Sequence, residues 1–268
     1  MEIEGTYLSD RPDLASAIER LSERVWPPFL LHATIRGWRE LFGRLAGHQI
    51  LFLDRDGGRL VAAGHTVPIA WDGTVGDLPR TIEECVQRAL DRDQVDREQV
   101  DREQVDEGGA HAARPAGALC AVAAMVDPSA RGRGLSRMLV EAMRGHAGTL
   151  GLPSLIAPVR PIWKDRFPLI PLDRYAEWRR PDGAPFDPWI RVHRSLGAQT
   201  LGVAPATLEV RGTVADWERW TGLAFPGSGA YCVPGALQPV EIDREADRGI
   251  YQDPNLWMRH GSSTRSGP

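Results

Sequence analysis

Residues 131–136, Arg-Gly-Arg-Gly-Leu-Ser, lie between an uninterrupted apolar run at 118–126 (ALCAVAAMV) and a segment where Leu135, Met138, Leu139, Ala142 and Met143 recur along the chain. The apolar run, stopped by Asp127-Pro128, predicts a buried strand. Spacing at i, i+3, i+4, i+7 and i+8 predicts one face of a helix. The chain must therefore pass from strand to helix through a turn built of two glycines and two arginines. Such a turn leaves several backbone N–H groups without intrahelical partners, beside the positive end of the helix dipole. A phosphate fits there. Gly132 and Gly134 allow close approach without Cβ interference, and Arg131 and Arg133 add fixed positive charge.

Spacing sorts the phosphate-binding turns. A mononucleotide loop needs glycine, four residues and then Gly-Lys-Ser/Thr, which this chain lacks. A dinucleotide fingerprint needs a third glycine where Arg137 stands. What remains is Arg-x-x-Gly-x-small after Val126-Asp127-Pro128, and here the chain resembles the GNAT acyltransferase superfamily, whose signature is Gln/Arg-x-x-Gly-x-Gly/Ala after a strand. Ser136 departs from the last position but is small. The order that follows also resembles the family: a strand at 154–159 (SLIAPV), a helix at 189–196 closing at Leu196-Gly197-Ala198, and a strand at 207–210 (TLEV). The resemblance is clear over about residues 45–212 and poor at the ends.

The resemblance implies an α/β (α+β mixed) fold: a central mixed, mostly antiparallel sheet with splayed middle strands, flanked by helices, here with an elaborated C-terminal part. It further implies acyl transfer from acetyl-CoA or another acyl-CoA, as co-substrate, to the amine of a small metabolite by direct attack. The amides of Gly132, Arg133, Gly134, Leu135, Ser136 and Arg137, with Arg131, would hold the diphosphate. The pantetheine arm would pair with main-chain groups near Met125 and Val126. Such chemistry needs a base for the acceptor ammonium, a polarised carbonyl and an acid for the thiolate, with no metal. The family's acid is often a tyrosine three residues before Leu-Gly. That position here is His193, which can also give a proton near neutral pH. The family's strand carboxylate is absent from 118–126, so Glu241 or Asp243 on a last strand at 237–243, an ordered water, or His65 are the candidate bases. Cys120 reads as a small buried apolar residue. Two alternatives share the sequence signals: a donor carried on an acyl carrier protein, and a non-catalytic acyl-CoA-binding module.

At 268 residues and a net charge of −4, the chain can bury a large core and lacks the basic stripe of a nucleic-acid binder. Its extra length is expected to serve acceptor recognition or oligomer formation such as a homodimer. Three scattered cysteines suit reduced thiols, and residues 1–10 do not read as a signal peptide, which together suggest a cytoplasmic protein. No apolar run is long enough to span a membrane. Helices are expected at 13–25 and 35–45, and a hairpin of strands 48–53 and 60–70 across Asp54-Arg55-Asp56-Gly57-Gly58. Residues 91–105 repeat Asp-Arg-Asp/Glu-Gln-Val at a period of five. That period matches neither helix nor strand, so the segment reads as an insertion, either a solvated helix continuing from 82–90 or disorder. Residues 158–188 form a long proline- and aromatic-rich connection, read as a binding lid or as cover for an apolar face. One domain over 1–260 with a loose tail at 261–268 is expected.

Overall fold

The computed structural model describes residues 2–56, 58–103 and 117–261, with only the backbone described at 99–103. Five strands open the fold: β1 (Ile3–Tyr7), β2 (Gln49–Asp54), β3 (Arg59–Ala70), β4 (Gly117–Val126) and β5 (Ser154–Val159). Four more close it: β6 (Gln199–Gly212), β7 (Gly229–Tyr231), β8 (Val240–Asp243) and β9 (Arg248–Gly261). The helices are α1 (Ala15–Val25), α2 (Ile82–Glu103), α3 (Leu135–Thr149), α4 (Leu172–Ala176), α5 (Pro188–Ser195) and α6 (Val214–Thr221). The sheet runs β1-β2-β3-β4-β5-β9-β8-β7, and β6 lies along the other side of β9. All pairings are antiparallel except β4 with β5, which is parallel and covers only Leu119↔Leu155 and Cys120↔Ile156. The expected mixed sheet with parting middle strands is therefore present.

β4 alternates between two cores, and a bulge reverses its alternation. Ala118, Cys120 and Val122 pack toward α2, and Leu119 and Ala121 toward α3. Opposite β3, Thr66 pairs Ala121 while His65 pairs Ala123, so Val122 is an extra residue. Beyond it Ala124 and Val126 face α3 and Met125 faces α1. One inserted residue exchanges the faces of everything downstream.

Two expectations change, and one pair of alternatives is decided over the described residues. Residues 35–45 do not form one helix. Gly37 is left-handed at φ 79, and only a 3-10 turn at Trp38–Phe42 follows before Gly43 breaks it. Apolar periodicity there served a coil packed on the core, where Leu41 and Leu45 are buried. The repeat continues α2 as a helix to Glu103, supported by i,i+4 pairs such as Arg97–Asp93, and residues 104–116 lie outside the described residues. The segment read as ending in one strand holds two, β8 and the 14-residue β9, which fills the centre of the sheet. The tail beyond 261 lies outside the described residues.

The 160–187 connection has its own small core, in which Phe167, Tyr175, Trp178 and Phe186 pack edge to face or tilted at 4.9–6.1 Å. Two buried polar groups fix it. Lys164 Nζ donates to the carbonyls of Phe167 and Leu237. Asp187 caps α5 by accepting from Trp189 N and Ile190 N, and its other oxygen accepts from Trp163 N and the Tyr175 hydroxyl. Four donors would lose their acceptor together in Asp187→Ala, so about 3 kcal/mol of stability should go, equivalent to a fall in Tm of roughly 6–12 °C. A thermal melt showing a fall under about 2 °C would mean that Asp187 does not hold the connection to α5.

Candidate active site

The parting of β4 and β5 opens a cleft of about 1470 Å³ that runs through the sheet. Its walls include Ala121–Val126 on one strand and Ala157–Arg160 on the other. The inner edges of both strands have no strand partner beyond Cys120 and Ile156, so their backbone N–H and C=O groups are available to an extended ligand.

At one end stands the loop before α3. Asp127 anchors its start: Ser129 N and Arg24 bond its carboxylate, and Arg59 lies at 3.4 Å. Burial by itself would raise the Asp127 pKa, but the Ser129 and Arg24 bonds hold it below the usual carboxylate range. Gly132 and Gly134 both have φ 77, a conformation glycine adopts at little cost. Gly134 is the N-cap of α3, and no side chain caps that helix. A Cβ at either glycine would meet no heavy atom within 4 Å, so the space before the loop is open. Arg131, Gly132, Gly134, Leu135 and Ser136 line the cleft, as do Met125 and Val126. Arg133 is exposed on the loop, and Arg137 turns away to Glu141 at 3.0 Å and to the Ser195 hydroxyl.

Two histidines face the cleft from opposite faces of the sheet. His193, on α5, packs edge to face on Trp189 on the α3 side. Its Nδ1 lies 2.9 Å from His260 Nε2 on β9, while its Nε2 is buried without a hydrogen-bond partner. Burial, reinforced by the neighbouring ring, pushes His193 down to about 3, and burial holds His260 at about 4. His65, on β3, packs against Trp38 and Phe42 on the α1/α2 side. Burial lowers it to about 4.

The His65 tautomer follows from its neighbour. Gln49 Nε2 donates to the carbonyls of Leu45 and Thr66, which fixes Gln49 Oε1 toward His65 Nδ1 at 3.0 Å. An amide oxygen only accepts, so Nδ1 carries the proton and Nε2 presents its lone pair. Sequence reading reached His65 as one base among several but had no signal for Gln49. Of the strand acids, Glu241 is exposed on β8 and Asp243 bonds Ala246 N, and neither lines the cleft. The reason is register: β8 pairs only the start of β9, away from the splay. Cys120 is buried with Cys85 Sγ at 3.6 Å, and burial raises its thiol well above the ordinary value. Among the described residues, no group of three His, Cys, Asp or Glu side chains is placed to hold a metal, and no helix is long and apolar enough to cross a membrane.

No family model matches the chain. It is 28% identical to an arginine N-acetyltransferase of Aspergillus versicolor, across 93% of this chain and 91% of that protein. Its fold is similar to the loading GNATL domain of CurA from Lyngbya majuscula at TM-score 0.59, with 13% identity over 97% of this chain and 98% of that one. It is also similar to a GNAT-like decarboxylase, GphF, solved with isobutyryl-CoA, at TM-score 0.55 and 18% identity over 98% of this chain and all of the other. In sequence the chain is thus similar to an N-acetyltransferase, and in fold to GNAT-type domains. The likeness spans nearly the whole chain.

Because these imidazoles are neutral when folded, the unfolded chain binds more protons than the native one between about pH 4 and about pH 6.5. Their contribution is complete above about pH 6.5 and is lost progressively as pH falls toward 4. Between pH 6.5 and 5, above the carboxylate range, Tm should fall, and the double variant His193→Phe, His260→Leu should flatten that fall. A wild-type Tm unchanged over this window would show that the rings are not buried in neutral form.

Proposed function

We propose that this protein is an N-acyltransferase that moves an acyl group from a coenzyme A thioester to the amine of a small cationic acceptor of the arginine type. The observation that carries the reading is a single cleft joining an uncapped, glycine-entered helix N-terminus to an open strand edge and two neutral histidines on opposite faces. The similarity to an arginine N-acetyltransferase supports an amine as acceptor.

The residues present fit coenzyme A. The α3 N-terminus and Arg131 suit a diphosphate, and the α3 face of the splay offers backbone groups to an arm bearing two amides. The co-substrate supplies an activated acyl carbon. On the α1/α2 face, His65 Nε2 is positioned to accept the proton of the attacking nitrogen as the C–N bond forms. Its low affinity for protons suits the strongly acidic N–H of a nitrogen turning cationic during attack, and not a free ammonium. On the α3 face, His193 Nε2 can carry the outer proton when His260 Nε2–H donates to His193 Nδ1. In that state a neutral imidazole N–H meets negative charge developing on the departing sulfur as the C–S bond breaks. The proton collected at His65 then leaves with solvent. Asp165 lines the acceptor end, and its Oδ1 is buried without a hydrogen-bond partner, a position suited to the acceptor's side-chain cation.

Thiol release from acetyl-CoA with arginine tests the reading, and none with arginine or any amine of a broad panel would reject it. Gly134→Asp, which sets a carboxylate before the loop, should weaken coenzyme A binding at least 100-fold in calorimetry while the fold persists. Retained affinity would move the diphosphate elsewhere. His65→Gln should lower kcat about 100-fold or more with little change in coenzyme A affinity, and an unchanged kcat would remove His65 from proton transfer.

A further inference from the structure

Beyond β5 the acceptor side of the cleft holds a buried ion pair. Arg160 Nε donates to both carboxylate oxygens of Asp253 at 3.0 and 3.1 Å, and Nη2 donates to the Gly235 carbonyl at 2.7 Å. Asp253 is itself held from other directions, since the Tyr251 hydroxyl donates to Oδ1 at 2.6 Å and Asn255 Nδ2 to Oδ2 at 3.0 Å. Asn255 also reaches Thr207 Oγ1, across a place where three β6 residues bulge past Pro254. The result is a carboxylate whose charge is shared by three donors and a guanidinium gripped along one edge.

The grip leaves Arg160 incomplete. Nη1 takes part in none of these bonds, the side chain is 16% exposed, and the residue lines the cleft. A guanidinium offers its donors in a planar fork, and the bonds to Asp253 and Gly235 use the Nε and Nη2 edge, so that Nη1 is left to serve a ligand in the cleft that Arg160 lines. Face assignments put this group with His65. Tyr251 packs on Phe29 and Trp257 on the α2 core, so these β9 side chains, with Asp253 and Asn255 between them in register, lie on the α1/α2 face. Leu256 and Met258 point to the other face, toward Ile190 of α5.

We infer that Arg160 is the anchor for a free carboxylate on the acceptor, so that the substrate class is an amino acid bound by its carboxylate and not a plain amine. The inference rests on the transferase reading for the identity of the cleft and goes beyond it by requiring an anion on the acceptor. Asp253, Tyr251 and Asn255 are positioning residues: they hold the guanidinium flat so that its free side faces the cleft. An amino group next to the captured carboxylate would lie on the same face as the His65 lone pair, and a cationic side chain could extend toward Asp165.

The test compares arginine with argininamide, which has the same amine and side chain and lacks only the negative charge, with agmatine as a second carboxylate-free probe. In calorimetry on the coenzyme A complex, wild-type protein should bind arginine about 10- to 100-fold more tightly than either, the worth of one charge-assisted hydrogen-bonded contact. Arg160→Gln should bring that ratio near one. A purely structural role for Arg160 would weaken all three ligands alike and leave the ratio intact, which would overturn the assignment. Equal wild-type affinity for the three, or no binding of any, would overturn it without a variant, so the test survives if Arg160→Gln fails to fold. Selective binding of arginine without thiol release from acetyl-CoA would reject the transferase reading and leave the carboxylate anchor standing.

Discussion

Parallel strands that part after two residue pairs leave backbone N–H and C=O groups along two facing edges, and buried groups of this kind cost about 1–3 kcal/mol each when nothing bonds them. In β4 and β5 this cost is avoided because the opening reaches solvent, so that water can bond these groups. The sheet holds together because β9 supplies what β5 loses. It pairs with the whole of β5 on one edge and with β6 on the other, and farther along its length with β8. The same long strand therefore braces the splay and delivers Asp253 and Asn255 to its acceptor side.

Bulges decide which chemistry meets the opening. The extra Val122 of β4 switches Ala124 and Val126 to the α3 face and Met125 to the α1 face. The β6 excursion opposite Pro254 brings Thr207 into the β9 polar cluster. Neither insertion adds a charged group of its own. Each works by re-aiming neighbours along the strand.

What was legible in the sequence was what local contacts decide. The strand, turn and helix of 117–149 are continuous in the chain, and the glycines of the turn have the left-handed backbone that their placement implied. The β2–β3 hairpin and α1 were likewise visible from periodicity and turn residues, and α5 through the family resemblance. Central strand β9 was not, because Asp253, Pro254 and Asn255 break both alternation and apolar continuity, and its pairing partners lie at 154–159 and 199–212. β1 was hidden for the same reason: its five residues become a strand through pairing with β2, more than 40 residues on. In the site, His193 was reached through spacing from Leu-Gly. His260, Gln49 and the Arg160–Asp253 pair were not, since their partners are 67, 16 and 93 residues away. Glu241 stands away from the cleft, because being an acid on a strand says nothing of where that strand pairs.

The two neutral histidines follow from the same geometry. Direct transfer joins the incoming nitrogen to the acyl carbon that expels the sulfur, and the proton demand at the two atoms has opposite sign. A single titratable group between them would have to serve both needs in turn. Here the sheet separates two candidate groups: Gln49 fixes the His65 tautomer with Nε2 unprotonated, whereas the proton between His193 Nδ1 and His260 Nε2 can sit on either ring. On the proposed reading, the first would take the proton of the attack and the second would meet the departure. Burial keeps both uncharged, so neither repels an arriving cation nor needs to lose a proton to solvent before the reaction begins. Among the arginines that line the cleft, Arg131 stands by the open loop and Arg160 on the acceptor face, where anionic groups of the two substrates would be held apart.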